Sequence, residues 1–224
     1  PELNMHTLPI FSTIITLIFT IAVFNRYRAR GGAHLLLWAI GLVFYGLGTG
    51  MEVVLGLTFN ALALKLWYLS GAMLTAAWLG QGTVNLLARR GSLARVSNVL
   101  LLLLSLVALG LVIAAPLQSA ASFHPGTPVS TQYKDILTRS GLTIAMTILL
   151  NTYGTFTLVG GALYSAFLFW RKKVLFNRML GNILIAGGAI LPAIGGSFLK
   201  AGLPDWLYLS EFLGVILMYG GFLL

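Results

Sequence analysis

Five polar residues lie within or at the ends of long apolar stretches, where a ligand would meet little competing water. They are Glu52, Tyr68, Asn151, Lys200 and Glu211. A charged or polar group in apolar surroundings is costly, so its presence usually marks a functional site. Carboxylates accept hydrogen bonds or hold a cation, and the ammonium group of Lys200 can balance one of them. The sequence therefore predicts that these five residues are candidates for binding a ligand.

Four polar residues share one face of a predicted helix. Thr143, Thr147, Asn151 and Thr155 are each four positions apart, which is the spacing of neighbours on a helix surface. A threonine hydroxyl within a helix often donates to a carbonyl of the preceding turn. An asparagine amide has more hydrogen-bonding groups to satisfy, so we expect Asn151 to find a partner on another helix.

Residues that would support catalysis or metal binding are scarce. The sequence has no cysteine, and His6, His34 and His124 lie singly, near stretch ends or in loops. No pair of them has the spacing of metal ligands on a helix, and no phosphate-binding loop or nucleophile motif occurs. We therefore expect no enzymatic activity, no metal and no cofactor. The alternative is a pigment or haem bound near His34.

The elements that carry these residues are predicted to lie in lipid. Of the 224 residues, 58% are hydrophobic and 8% are charged, whereas about 25% of the residues of a soluble domain are charged. A fold of this size cannot hide so much apolar surface from water. The formal net charge is +9. Because the placement of the basic residues along the chain accounts for it, we expect no nucleic-acid partner.

Seven apolar stretches are long enough to cross about 30 Å of hydrocarbon as helices. The fold class is therefore predicted to be all-α, a polytopic membrane protein in which residues 1–224 form a single seven-helix transmembrane domain. The predicted helices span residues 8–24, 33–55, 62–88, 96–115, 141–170, 179–199 and 206–224.

One connection is long, at residues 116–140. Its later part, STQYKDILTRSG, is predicted to form a short helix capped by Ser130. The connection is either a simple connector or a lid over an outward-facing pocket.

The basic residues predict the orientation in the membrane. Most of them lie on alternate loops, hence on one side: Arg26, Arg28, Arg30, Arg89, Arg90, Arg95, Arg171, Lys172, Lys173 and Arg178. The positive-inside rule makes that side cytoplasmic, which places the N-terminus outside and the C-terminus inside. Glu52, Lys200 and Glu211 would then lie in the outer half of the bundle and could share one pocket. The alternative is that these side chains extend to the lipid headgroups, most readily that of Lys200.

The sixth predicted helix contains glycines and a proline within an apolar run, GNILIAGGAILPAIGGSFLKAG. In lipid a helix persists despite glycine because the backbone must bond to itself, and glycine allows neighbouring helices to approach closely. We expect Pro192 to kink this helix. A packing face is predicted, with a hinge or binding cleft at the kink as the alternative, and its residues are Gly187, Gly188, Gly195 and Gly196.

Tryptophans near the predicted helix ends are interpreted as anchors at the two membrane surfaces. They are Trp38, Trp67, Trp170 and Trp206. Such rings combine an apolar body with one polar N–H and therefore favour the level of the headgroups.

Three segments carry a pattern that extends over most of the chain. They are ARGGAHLLLWAIGLVFYGLGTGMEVV, LALKLWYLSGAMLTAAWLGQGTVNLLARR and NRMLGNILIAGGAILPAIGGSFLKAG. A tryptophan-containing second helix ends near an acid, an aromatic pair opens the third helix, and a proline interrupts the sixth helix after a basic loop. In these features the chain resembles the seven-helix N-terminal region of bacterial sensor histidine kinases and diguanylate cyclases.

The resemblance implies a multi-pass protein of the bacterial inner membrane that passes an external or intramembrane cue through helix 7. In that family a cytoplasmic output domain would follow the position of Leu224; without one, the bundle would act through a partner. The leading prediction is thus a non-enzymatic, sensor-like module that binds a small or lipidic ligand in its outer half.

An alternative prediction is an accessory transmembrane subunit of a larger respiratory or photosynthetic complex, which glycine-rich packing faces would suit. The expected partners are the lipid bilayer and either other membrane subunits or a second copy of the chain. A transporter is disfavoured, because the sequence shows no inverted repeat and no matching pair of broken helices.

Overall fold

The described part of the computed structural model comprises residues 7–88, 92–118, 122–173, 175–203 and 205–224. A π-helical segment, Tyr68–Leu74, joins α3 to α4, so these three pieces form one continuous span, Ala61–Leu87. The helices are α1 (Leu8–Arg30), α2 (Ala33–Leu57), α3 (Ala61–Trp67), α4 (Thr75–Leu87), α5 (Leu93–Ala114), α6 (Val129–Ile136), α7 (Gly141–Arg171), α8 (Phe176–Lys200) and α9 (Asp205–Leu223).

Among the described residues, seven helices are long and apolar enough to cross a membrane, which confirms the predicted all-helical fold and supports a multi-pass membrane protein. The predicted bounds were too short where charged residues flank an apolar stretch. α1 continues through its arginines to Arg30, and α8 begins at Phe176. Arginine and asparagine side chains at these ends leave the helical backbone bonds intact, so hydropathy alone underestimates the helix length.

Six of the seven spans form a closed ring. α1 packs on α2, α2 on α4, α4 on α7, α7 on α8, α8 on α9, and α9 returns to α1. The remaining span, α5, lies outside this ring and contacts mainly α4 and the π-helical segment. The ring therefore encloses the space in which polar side chains from different spans can meet.

α8 and α9 pack closely at glycines spaced seven residues apart. A methyl group at Gly181 would collide with the Gly221 carbonyl, and one at Gly188 with the Gly214 carbonyl. Gly195 lies against Ser210. A seven-residue spacing keeps one helix face toward its neighbour, so these positions require a missing side chain.

The structure places two of the four predicted packing glycines outside this face. A methyl group at Gly187 or Gly196 would meet no atom within 4 Å. The reason is helical geometry, since adjacent positions point about 100° apart and cannot both face α9. α8 runs as a helix through Pro192, whose ring packs against Gly214.

Polar side chains attach α5 to the outside of the ring. Gln81 Nε2 donates to Ser97 Oγ at 2.8 Å and to Asn98 Oδ1 at 2.6 Å. Asn85 Nδ2 donates to the same Asn98 oxygen at 2.7 Å, and the Tyr153 hydroxyl donates to Gln81 Oε1. Hydrogen bonds of this kind between side chains of different helices help to hold neighbouring spans together.

The long connection folds over one end of the bundle. Its helix α6 overlaps the predicted segment but begins one residue before it, directly after Pro128. The Ser130 hydroxyl is buried and has no hydrogen-bond partner among the described residues, so the predicted cap is wrong. The Gly126 amide donates to the Gly56 carbonyl at 3.1 Å, which ties the connection to the end of α2. We call this end of the bundle the loop end.

At the opposite end, α1 turns into α2 and α7 turns into α8. Gly31 and Gly32 make the first turn at φ values of 66° and 105°, which only glycine adopts readily. Arginines and Lys172 gather there. We call this the basic end. The predicted residues Arg89 and Arg90 lie outside the described residues, as does His6.

Candidate functional site: a central cavity with two carboxylates

A cavity of about 290 Å³ lies inside the ring, between α2, the third span, α7, α8 and α9. Most of its wall is apolar or glycine, and no described Lys, Arg or His side chain lines it. Its aliphatic-hydroxyl, phenol, amide and carboxylate residues are Tyr45, Thr49, Glu52, Thr75, Asn151, Thr155 and Glu211. Three of the five predicted candidates, Glu52, Asn151 and Glu211, therefore meet at one cavity.

Glu52 is 5% exposed, and only one of its two carboxylate oxygens is hydrogen-bonded. Trp67 Nε1 donates to Glu52 Oε1 at 2.9 Å. Glu52 Oε2 is buried and has no hydrogen-bond partner among the described residues. An unsatisfied buried acceptor costs about 1–3 kcal/mol, and more when it is charged. Glu52 Oε2 is therefore a buried acceptor on the cavity wall that lacks a donor among the described residues.

The position of Trp67 corrects the sequence interpretation of this ring as a membrane-surface anchor. Trp67 is 8% exposed and lines the cavity, whereas Trp170 is 66% exposed. The reason is the Glu52 carboxylate, which gives the indole N–H a partner inside the bundle. The neighbouring rings of Tyr68 and Tyr133 complete its burial.

Glu211 brings the second carboxylate to the cavity from α9 and is partly buried. The Tyr45 hydroxyl donates to the backbone carbonyl of Glu211 at 2.8 Å, which connects α2 to α9 beside the cavity. Pro192 and Gly196 of α8 line the adjoining wall. A group bound between Glu52 and Glu211 would therefore touch three spans of the ring.

Asn151 has the partner on another helix that the sequence predicts. Its Nδ2 donates to the Ala72 carbonyl at 2.6 Å and to the Thr147 carbonyl at 2.9 Å. Ala72 lies in the π-helical segment, where hydrogen bonds shift from the regular register and carbonyls need other donors. Because Asn151 satisfies one of these carbonyls, part of its role is to support the cavity wall.

The structure does not bring Tyr68 to the central cavity. Its side chain is 1% exposed, and its hydroxyl lies 3.0 Å from Oγ1 of Thr147, a residue that does not line the cavity either. Its ring packs against that of Tyr133, and burial raises the pKa of the Tyr133 phenol. The backbone of Lys200 ends α8, and its side chain lies outside the described residues.

A second, smaller cavity of about 190 Å³ lies at the loop end and also has Glu52 in its wall. Its other walls come from the start of α1, the end of α2, the connection at Gly126 and Thr127, and Tyr208. Glu52 therefore contributes to the walls of both the space beneath the long connection and the central cavity.

His34, the alternative ligand for a pigment or haem, is far from this cavity in the fold. It begins α2 at the basic end, where its ring meets Trp38 edge-on at 5.5 Å between centroids. The described residues hold no group of three or more metal-ligating side chains.

Sequence reasoning missed Tyr45, Thr49 and Trp67 as cavity residues. The sequence could have indicated Tyr45 and Thr49, because spacings of four and three place them on one helix face with Glu52. Chemically, a mainly apolar cavity with two carboxylates suits a small ligand that carries hydrogen-bond donors or a positive charge.

No protein family, curated protein or solved structure matches this chain.

Proposed function

We propose that the chain is a non-enzymatic, sensor-like membrane module that binds a small organic cation in the central cavity. As in the family it resembles, ligand binding would be passed on through the last span, α9. The ligand would place its charged, donating group at Glu52 and its apolar part against the remaining wall.

The observation that carries the proposal is the unsatisfied Glu52 Oε2, which is buried on the wall of a cavity. A carboxylate in an apolar environment is stabilised most by a positively charged donor. A ligand ammonium or amidinium group would supply both the hydrogen bond and the charge. Glu211, across the same cavity, would add to the attraction for a cation and oppose the binding of an anion.

The cavity volume supports a small ligand. A water molecule takes about 30 Å³ of liquid volume, so a cavity of about 290 Å³ has room for roughly ten non-hydrogen atoms. The smaller cavity beneath the long connection provides an access route from the loop end. The long connection would then act as a lid over an outward-facing pocket.

Binding would act on the arrangement of α2, α8 and α9. A ligand shifts a conformational equilibrium only if it binds one arrangement better than the other. Glu52 and Glu211 lie on different helices, so a cation between them favours the arrangement in which these helices are close. The Tyr45–Glu211 hydrogen bond lies beside this contact and would respond to the same movement.

The proposal includes an orientation. We place the basic end in the cytoplasm, following the positive-inside rule, and the loop end outside. The central cavity would then receive its ligand from the exterior of a bacterial inner membrane.

Ligand-dependent thermal unfolding tests the proposal on the purified chain in nanodiscs. The probes are propylammonium, propan-1-ol and propionate, which are similar in size and differ in charge, at equal ionic strength. Because a ligand that binds the folded state raises the unfolding midpoint, we expect the largest rise with propylammonium. The Glu52→Gln variant should lose this preference.

Asp135→Asn is the matched control, because Asp135 is an exposed acid on α6 outside the cavity. It should respond to propylammonium like the unaltered chain. Equal responses to the three probes, or an undiminished propylammonium response in Glu52→Gln, would contradict the proposal.

A second experiment measures the proposed movement. Spin labels on Leu180→Cys and Leu223→Cys, both at exposed positions, report whether propylammonium changes the distance between α8 and α9.

A further inference from the structure

A separate cavity at the basic end is lined by cations from several helices. It has a volume of about 620 Å³ and is open to the surroundings. Arg26 and Arg30 reach it from α1, Lys172 from the end of α7, and Arg178 from the start of α8. No acidic side chain of the described residues lines it.

One of these cations is held in place by the protein. Arg26 Nη1 donates to the Phe222 carbonyl at 3.2 Å, and the guanidinium carbon lies 4.9 Å from the centre of the Phe222 ring. A guanidinium group has five N–H donors in one plane. Since the hydrogen bond to Phe222 uses one of them, the others remain for a ligand in an orientation that is already fixed.

The inner wall of the same cavity is apolar. Leu35, Leu168, Phe169 and Ile185 line it beneath the cations. A cationic rim above an apolar wall matches the junction between the phosphate and the acyl chains of a phospholipid. Basic pockets between transmembrane helices at the cytoplasmic side bind anionic lipid headgroups in this way.

The clustering of these cations around one cavity is more specific than the general excess of basic residues on one side of a membrane protein. Arg28 and Arg171 belong to the same helix ends, but they do not line the cavity. Arg26, Arg30, Lys172 and Arg178 therefore converge on one space, and these two residues do not. A small apolar cavity of about 40 Å³, at Leu42, Leu79 and Met218, separates this space from the central cavity.

We propose that the basic cavity formed by Arg26, Arg30, Lys172 and Arg178 binds the phosphate headgroup of an anionic phospholipid. A bound phosphate would bridge the ends of α1, α7 and α8 next to Phe222 of α9. The site does not depend on the proposed function of the central cavity, because the two cavities share no lining residue.

Lipid retention in native mass spectrometry tests this inference on the whole chain. The protein is reconstituted in phosphatidylcholine containing phosphatidylglycerol and then released with its bound lipids. We expect phosphatidylglycerol to be retained in preference to phosphatidylcholine. Because one basic side chain near an anionic headgroup contributes about fivefold in affinity, the double variant Lys172→Gln/Arg178→Gln should lose most of this preference.

The matched control is Arg28→Gln/Arg171→Gln, which removes the same number of positive charges from the basic end outside the cavity. Its preference should change by less than about twofold, because neither side chain lines the cavity and salt screens charges at a distance. Neither double variant removes a side-chain hydrogen bond of the described structure, and thermal unfolding in phosphatidylcholine alone checks that both fold. Equal losses in the two double variants, or no loss in the cavity variant, would overturn the proposal.

Inorganic phosphate distinguishes the two possible sources of the phosphate group. We expect phosphatidylglycerol, but not sodium phosphate at matched ionic strength, to raise the unfolding midpoint through Lys172 and Arg178. If sodium phosphate raised it equally, and the cavity variant abolished that rise, the lipid assignment would be overturned in favour of a free anion.

Discussion

At the scale of residues, the two carboxylate oxygens of Glu52 differ in their hydrogen bonding. Oε1 accepts a hydrogen bond from Trp67, whereas the buried Oε2 has no partner among the described residues. The sequence identified Glu52 and Glu211 correctly as acids within apolar helices, because charge in such a stretch is visible without a structure. It did not reveal the Trp67 partner, since that depends on how α2 and the third span are aligned. Tyr68, the next residue, points in another direction and its hydroxyl pairs with that of Thr147.

Replacing Trp67 tests this pairing directly. Trp67→Phe keeps an aromatic ring but removes the N–H that donates to Glu52 Oε1, which leaves both carboxylate oxygens without a donor. We expect the free energy of unfolding to fall by about 1–3 kcal/mol, measured by denaturant titration in detergent micelles. Trp170→Phe changes an exposed ring and should have an effect within about 0.5 kcal/mol. Equal effects would show that the Glu52 contact contributes nothing.

At the scale of elements, the α8–α9 pair shows which part of a glycine-rich helix matters. The sequence predicted close packing of this helix, but it presented two adjacent glycine pairs without indicating which member of each pair faces a neighbour. The structure selects Gly188 and Gly195, and it adds Gly181 at the same seven-residue spacing. The partner glycines Gly214 and Gly221 repeat that spacing on α9, a match that becomes readable only when both helices are aligned.

Two adjacent glycines provide a matched test of this face. Gly188→Ala would force a methyl group against the Gly214 carbonyl and Met218, whereas Gly187→Ala would place it in open space. We expect Gly188→Ala to lower the free energy of unfolding by about 1–3 kcal/mol, again by denaturant titration. Gly187→Ala should change it by less than about 1 kcal/mol. A larger loss in Gly187→Ala than in Gly188→Ala would contradict the packing described here.

At the scale of the whole molecule, seven spans form a six-membered ring with one span outside. The number and approximate bounds of the spans follow from hydropathy, because each must cover the hydrocarbon thickness. The order of the spans in the ring does not follow from hydropathy. Every span is apolar, and its composition does not indicate which span lies next to it. That α5 lies outside becomes clear only from the contacts, although its Ser97 and Asn98 were visible polar positions.

Cysteine labelling tests the orientation of the molecule, and the chain is suited to it because it contains no native cysteine. Thr127→Cys places a thiol at an exposed position of the loop end, and Arg28→Cys places one at the basic end. In intact cells a membrane-impermeant maleimide should label Thr127→Cys and not Arg28→Cys, because the positive-inside rule places the basic end in the cytoplasm. Permeabilised cells, in which both thiols should react, are the control. The reverse pattern would place the cavity's access route on the cytoplasmic side.

The contact between α9 and α1 has a consequence for biosynthesis. Since the chain leaves the ribosome from its N-terminus, α1 and α2 enter the bilayer long before the span that completes the ring beside them. During that interval Glu52 has no α9 behind it, and the site of the central cavity is open to lipid on one side. The central cavity is thus complete only once α9 has inserted, and a nascent chain halted before α9 would leave Glu52 uncovered on the open side of the ring.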